Sequence, residues 1–238
     1  MPIIIPKDIP AYASLRSEKI FVMDAERAGT QDIRPLEVAI VNLMPTKEVT
    51  ETQLMRLLGN TPLQVNIHLI GTASYKSTHV SEAHMQKFYR SIAEVKKMKF
   101  DGMIVTGAPV ETIPFEEVKY WNELVEIMDF ARENVTSTIY ICWGAQAALY
   151  HFWGIGKQLL DKKLFGVFPT HAMQENDMLL KGMDDTFYIP HSRPTRVDED
   201  AVRAVPDLKA LASTPDRARP TAHPPHHRHR LLHGHGAP

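Results

Sequence analysis

Thr138-Ile-Tyr-Ile-Cys142-Trp-Gly-Ala-Gln-Ala-Ala-Leu-Tyr150 is the stretch that decides the fold. An apolar, β-branched run stops at Cys142, and from Gly144 the residues are good helix formers. A strand that turns straight into a helix with a nucleophile at the corner has the layout of a nucleophile elbow. The helix aims its first amides and the positive end of its dipole at the corner, which favours thiolate over thiol. The backbone N–H groups there, that of Trp143 first, can also hold an oxyanion. Cys142 is the only cysteine in the chain. The same pattern also fits a cysteine buried at a strand end, since free cysteine packs as a small apolar residue.

Outward from this corner, strand and helix patterns alternate. Leu36-Glu-Val-Ala-Ile-Val-Asn-Leu-Met44 is nearly continuous in apolar residues, as in a strand covered on both faces, and Pro45 ends it. Thr46 to Leu58 reads as a helix with Val49, Leu54, Leu57 and Leu58 on one stripe and Gly59-Asn60 as its stop. Residues 63–70 alternate as a second strand, 82–98 read as an amphipathic helix, and Gly102 to Gly107 is a third strand leading to the Gly107-Ala-Pro-Val-Glu111 loop. Phe115 to Arg132 reads as helix and Ser137 to Ile141 as the fourth strand. This alternation predicts an α/β fold with a parallel sheet covered by helices. Ligands of such sheets sit at the carboxyl ends of the strands, where Cys142 and the loop to Glu111 both fall. Beyond the elbow helix, Leu164 to Phe168 reads as a short strand and Asp185 to Arg193 as an apolar strand ending in polar groups.

The expected organisation is an N-terminal arm over 1–34, an α/β domain over 35–212, and a tail over 213–238. From Thr214 onward the chain holds six of its twelve histidines (His223, His226, His227, His229, His233 and His235), five prolines and no aromatic residue, so a disordered segment is expected. A histidine-rich tail could bind Zn²⁺ or Ni²⁺, but metal sites need fixed geometry, and no metal or bound cofactor is expected. A net charge of −1 gives no electrostatic reason for nucleic acid or an anionic membrane as partner. One cysteine, no signal-like start and no apolar run of the ~20 residues that span a bilayer predict a cytoplasmic protein.

Several blocks together resemble a homoserine O-acyltransferase of the methionine-biosynthesis type. They are Asp32-Ile-Arg-Pro-Leu36, Asn42-Leu-Met-Pro-Thr46, Glu51-Thr-Gln-Leu54, residues 57–64, Phe100 to Val110, Cys142-Trp-Gly-Ala-Gln146 and Lys163-Leu-Phe-Gly-Val167. The resemblance covers residues 1–212. It implies a flavodoxin-like sandwich akin to class I glutamine amidotransferases, commonly a homodimer, acting on small-molecule substrates. It implies that Cys142 takes the acyl group from an acyl-CoA and passes it to the γ-hydroxyl of L-homoserine in a ping-pong transfer. Lys163 and Ser192 fall on substrate-binding positions, although each also reads as an ordinary surface lysine and turn residue. Glu111 falls on the position linked to acyl-CoA choice: a glutamate fills the pocket and repels a succinyl carboxylate, which points to acetyl-CoA as co-substrate. The alternatives are the succinyl-CoA enzyme, a glutamine amidotransferase-like hydrolase, and a catalytically dead remnant.

The resemblance stops short of the family's general base, a histidine in a Gly-His-Pro-Glu-like motif, and of a homoserine-binding arginine further on. His235 lies near the histidine's place but sits in His233-Gly-His-Gly-Ala-Pro238, with no glutamate after it. One choice of codons for Gly236-Ala-Pro238 and a stop, read one base later, spells Gly-His-Pro. The tail is therefore expected to be an out-of-frame reading that starts near codon 213. Loss of a general base typically costs about 10²–10⁴ in rate, so the polypeptide as written is expected to show little or no transferase activity. Turnover of acetyl-CoA and homoserine at a normal enzymic rate by the purified 238-residue chain would overturn that expectation.

Overall fold

The computed structural model describes residues 2–72, 81–174 and 177–214. The histidine-rich tail from 215 onward lies outside the described residues. The chain folds as two compact units that divide between Gly144 and Ala145. The first unit carries a seven-stranded sheet in the order β2-β1-β4-β3-β6-β7, with β5 beside β4. Its strands are β1 (Ile3–Ile4), β2 (Val22–Met23), β3 (Leu36–Val41), β4 (Val65–Ile70), β5 (Tyr89–Arg90), β6 (Phe100–Val105) and β7 (Val135–Tyr140). All the pairings in this sheet are parallel. Its helices are α1 (Pro10–Ser17), α2 (Ala25–Gly29), α3 (Lys47–Leu58), α4 (Glu82–Phe88), α5 (Ile92–Val95) and α6 (Trp121–Asn134), and the elbow helix α7 (Trp143–Trp153) leads into the second unit.

The segment 1–34 is built into the sheet: β1 lies between β2 and β4. Ile3, Ile5, Ile9, Leu15 and Val22 join Val38, Ile40, Met55, Val65, Ile67 and Leu69 in one apolar core. At about 25 cal/mol per Å² of apolar surface removed from water, this burial is what fixes so short a strand in place. On α6 the buried positions Leu124, Ile127, Met128 and Ala131 recur at helical spacing, and Phe130 meets Phe100 of β6 edge-on at 6.2 Å.

Three readings of the sequence need correction. The expected apolar stripe of α3 is half right: Leu54 and Leu58 pack against the core, but Val49 and Leu57 are exposed, and the fully buried residues are Lys47, Glu51 and Met55. The helix read over 82–98 is broken, because Tyr89 and Arg90 pair with Leu69 and Ile70, and a capping box between Ser91 and Glu94 starts α5. The helix read over 115–132 begins as a 3₁₀ turn at Phe115–Glu117, and α6 proper starts at Trp121.

Lys47 carries a testable consequence. Burial pushes its ammonium down from 10.5 to about 8, with the Glu51 carboxylate pulling the other way. Between those two values the unfolded chain binds the extra proton, so stability rises with pH across that window; below about 8 the full cost of the buried charge is present. A shift of this size corresponds to about 3 kcal/mol. Urea unfolding of Lys47→Met at pH 7 to 10 is expected to lose that rise.

The second unit holds β8 (Lys157–Ala172), β9 (Thr186–Val197), α8 (Glu199–Arg203) and β10 (Ala212–Ser213). Its sheet is antiparallel in the order β10-β8-β9. The strand read over 164–168 is thus part of a sixteen-residue strand. An irregularity between Leu159 and Leu164 lets it run through the charged Asp161-Lys-Lys163 stretch. Because β9 is an edge strand, Pro190 and Pro194 are tolerated in it. Leu149, Ile155, Val197 and Val202 form this unit's apolar cluster. Among the described residues no helix is long and apolar enough to cross a membrane, and no group of three or more His, Cys, Asp or Glu could hold a metal ion.

Candidate active site

β6 and β7 are neighbours and end together. Ile141 donates its N–H to the carbonyl of Val105 at 2.9 Å, and Thr106 donates its own to Val41 at 3.0 Å. The chain then turns at Cys142, whose φ of +54° lies in the left-handed region. A non-glycine residue held there costs about 1–3 kcal/mol and persists only where its surroundings enforce it. The enforcement is visible. Gly144 donates to Ile141 at 2.9 Å, and Trp143, fully buried, packs its ring against Phe115 at 5.9 Å and Tyr120 at 6.2 Å.

Two glycines make room for the turn. A Cβ added at Gly144 would lie 2.6 Å from the carbonyl oxygen of Thr106 and 3.2 Å from that of Val105. One added at Gly107 would lie 3.0 Å from Cβ of Cys142 and 3.6 Å from its Sγ. The thiol therefore faces the Thr106–Gly107 strand end, and the side chain is half-buried. Trp143 is the first residue of α7, where backbone N–H groups have no carbonyl partner within the helix.

Glu111 lies on the loop after β6 and is half-buried; Val110 donates to Ala108 at 2.9 Å and Ile113 to Val110 at 3.1 Å, so the loop is a compact turn. Lys163 and Ser192 belong to the second unit, which brings them together. Phe165 pairs directly with Ser192, and the exposed Lys163, two residues before Phe165 on β8, sets its ammonium 5.9 Å from that ring. Strand alternation puts all three side chains on one face of the hairpin.

Sequence reasoning missed a cluster of buried polar groups at the end of β3. Asn42, Lys47, Glu51 and His84 are each at most 6% exposed, and Tyr89 joins them. The available signal was the spacing of Lys47, Glu51 and Met55 at i, i+4 and i+8, which puts the three on one helical face.

Cys142 thus sits at a left-handed strand-to-helix corner, at the carboxyl ends of a parallel sheet in an α/β fold. The fold is that of class I glutamine amidotransferases. A putative GMP synthase protein from Thermoplasma acidophilum superposes with a TM-score of 0.52 at 15% identity, covering 76% of this chain and 74% of that one. The glutaminase domain of Trypanosoma brucei CTPS gives 0.51 at 12% identity, with 76% and 75% covered. The chain belongs to the homoserine O-succinyltransferase family, whose profile matches residues 2–236. It is 53% identical over 214 residues to a protein of Bacillus cereus (strain 03BB102) named homoserine O-acetyltransferase, covering 90% of this chain and 71% of the relative. A protein of the same name from Shouchella clausii is 55% identical over 214 residues, with 90% and 69% covered. The protein is thus a member of an acyltransferase family.

Proposed function

We propose that the site of this protein is built to transfer an acetyl group from acetyl-CoA to the γ-hydroxyl of L-homoserine through an acyl-cysteine at Cys142, giving O-acetyl-L-homoserine for methionine biosynthesis, with little turnover expected of the polypeptide as written because its sequence does not show the family's Gly-His-Pro-Glu base. The observation that carries the reading is the left-handed backbone of Cys142 at the start of α7. There the Cys142 thiolate attacks the thioester carbonyl, the oxyanion is held by the Trp143 N–H, and the coenzyme A thiolate leaves. The γ-oxygen of homoserine would then attack the acyl-cysteine and release the Cys142 thiolate, with its proton going to the histidine base that the resemblance implies and that this sequence does not show in its motif. Lys163 and Ser192, on one hairpin face, supply a cation and a hydroxyl for binding substrate. A single cysteine with no disulfide fits a reducing cytoplasm.

The family's description favours succinyl-CoA as the donor. Two observations favour acetyl-CoA: the names of the 53–55% identical relatives, and the carboxylate of Glu111 on the loop next to the elbow strand. A second carboxylate at ~4 Å from Glu111 would meet a repulsion of about 1 kcal/mol in water and about 4 kcal/mol near a protein surface. With equal acetyl-CoA and succinyl-CoA in one assay, intact-mass analysis is expected to find acetyl on the single cysteine; succinyl in its place would overturn the choice of donor. Glu111→Gly is expected to shift that choice toward succinyl-CoA by about tenfold or more, the factor that about 1.4 kcal/mol represents.

A further inference from the structure

The strained corner at Cys142 leans on the Thr106–Gly107 strand end, and that strand end leans on the turn that follows β3. Leu43 donates its N–H to Thr106 Oγ1 at 2.8 Å, and Thr106 Oγ1 donates to the Gly107 carbonyl at 3.0 Å. The turn is closed from within. Lys47 Nζ donates to the Asn42 carbonyl at 2.6 Å, Asn42 Nδ2 donates to the Lys47 carbonyl at 3.2 Å, and Met44 donates its N–H to Asn42 Oδ1 at 3.2 Å.

Behind the turn stands Glu51, whose side chain is fully buried. Tyr89 donates its hydroxyl proton to Glu51 Oε1 at 2.5 Å, and its oxygen accepts from Asn42 Nδ2 at 2.9 Å. His84 Nε2 lies 3.1 and 3.2 Å from the two oxygens of Glu51. Burying a carboxylate, an imidazole, an amide and a phenol together is costly, and apolar residues of the same volume often give equal or greater stability. What such a network supplies, once each group is satisfied, is a single fixed arrangement. This one ends on the residues that press against the cysteine.

We propose that Glu51 is a positioning residue for acyl transfer: through Tyr89 and Asn42 it fixes the turn after β3, and with it the Thr106–Gly107 strand end that holds Cys142 at the elbow. The proposal rests on the reading of Cys142 as the nucleophile. Loss of the Tyr89 hydroxyl, or of the side-chain acceptor that Glu51 offers it, leaves the turn free to move away. The strained corner then relaxes, and the thiolate loses its alignment with the first amides of α7.

The only cysteine of the chain makes the test direct. The full chain and its Tyr89→Phe, Glu51→Leu and Glu51→Gln variants are alkylated with iodoacetamide across a pH series, with thermal unfolding followed in parallel. Tyr89→Phe and Glu51→Leu are expected to slow alkylation at neutral pH by about tenfold, short of the ~10²-fold that a 1 Å misplacement can cost. Their midpoints are expected to rise toward about 8.5, the value of a free cysteine. Glu51→Gln keeps an acceptor for Tyr89 and is expected to keep the wild-type profile. Wild-type rates and midpoints in Tyr89→Phe would overturn the proposal whatever the melting temperatures, and this variant decides the matter alone if Glu51→Leu does not fold. A wild-type chain that itself titrates like a free cysteine would instead bring down the nucleophile reading, and the proposal with it.

Discussion

Cys142→Ser is expected to abolish acyl-enzyme formation from acetyl-CoA, slowing acylation of the chain by about 10³-fold or more, within the range seen when a covalent nucleophile is removed. The hydroxyl is nearly isosteric with the thiol and sits at the same half-buried corner, so folding is expected to be untouched. A serine there has neither the low pKa nor the intrinsic nucleophilicity of a thiolate, and the amides of α7 cannot ionise it at neutral pH. The measurement is intact mass after incubation with acetyl-CoA, beside a melting curve. An acetylated Cys142→Ser chain would place the acyl group on another residue and end the acyl-cysteine mechanism.

Gly144→Ala is expected to be the most damaging single methyl group in the first unit. Two effects oppose each other. Alanine in a helix is favoured over glycine by up to about 1 kcal/mol. Against that, the added Cβ would sit 2.6 Å from the Thr106 carbonyl oxygen, a backbone atom that cannot rotate aside. Such overpacking typically costs about 1–3 kcal/mol, so the clash wins. The relief available is a shift of the start of α7 away from β6, which also carries Cys142 away from Gly107. Both a lowered melting temperature and slower alkylation of Cys142 are therefore expected. A Gly144→Ala chain with wild-type melting and wild-type alkylation would show that the elbow is looser than its geometry implies.

The elbow was legible because its requirements are local: an apolar strand, one nucleophile and small residues where the backbone doubles back. Each leaves its mark within thirteen residues, from Thr138 to Tyr150. The parallel sheet was legible for a related reason, since β3 and β6 are near-continuous apolar runs. What could not be read depends on residues distant in sequence. Polarity put Val49 and Leu57 on the apolar stripe, yet both are exposed while Lys47 and Glu51 are buried. The order is reversed because Tyr89 and His84, 38 and 33 residues from Glu51, satisfy its carboxylate inside the fold. The alternation in β4 marked the strand but not what its polar residues meet: Glu37, on the neighbouring strand, lies 2.9 Å from Asn66 Nδ2 and 2.5 Å from His68 Nε2. Lys163 and Ser192 were placed by resemblance alone, because only the antiparallel register of β8 and β9 makes them neighbours.

The strand that delivers Cys142 is also the last one in its sheet. Among the described residues β7 pairs with β6 alone, and along it Thr136 and Ser137 are exposed and Ile139 is 59% exposed. A strand edge with β-branched residues and no lysine or proline to blunt it is a template on which another extended chain can grow. The colloidal behaviour of the protein and its chemistry are thus tied to the same six residues. Concentrated solutions are expected to scatter light progressively. A charge placed at Ile139 is expected to suppress that growth while the corner just beyond it stays intact.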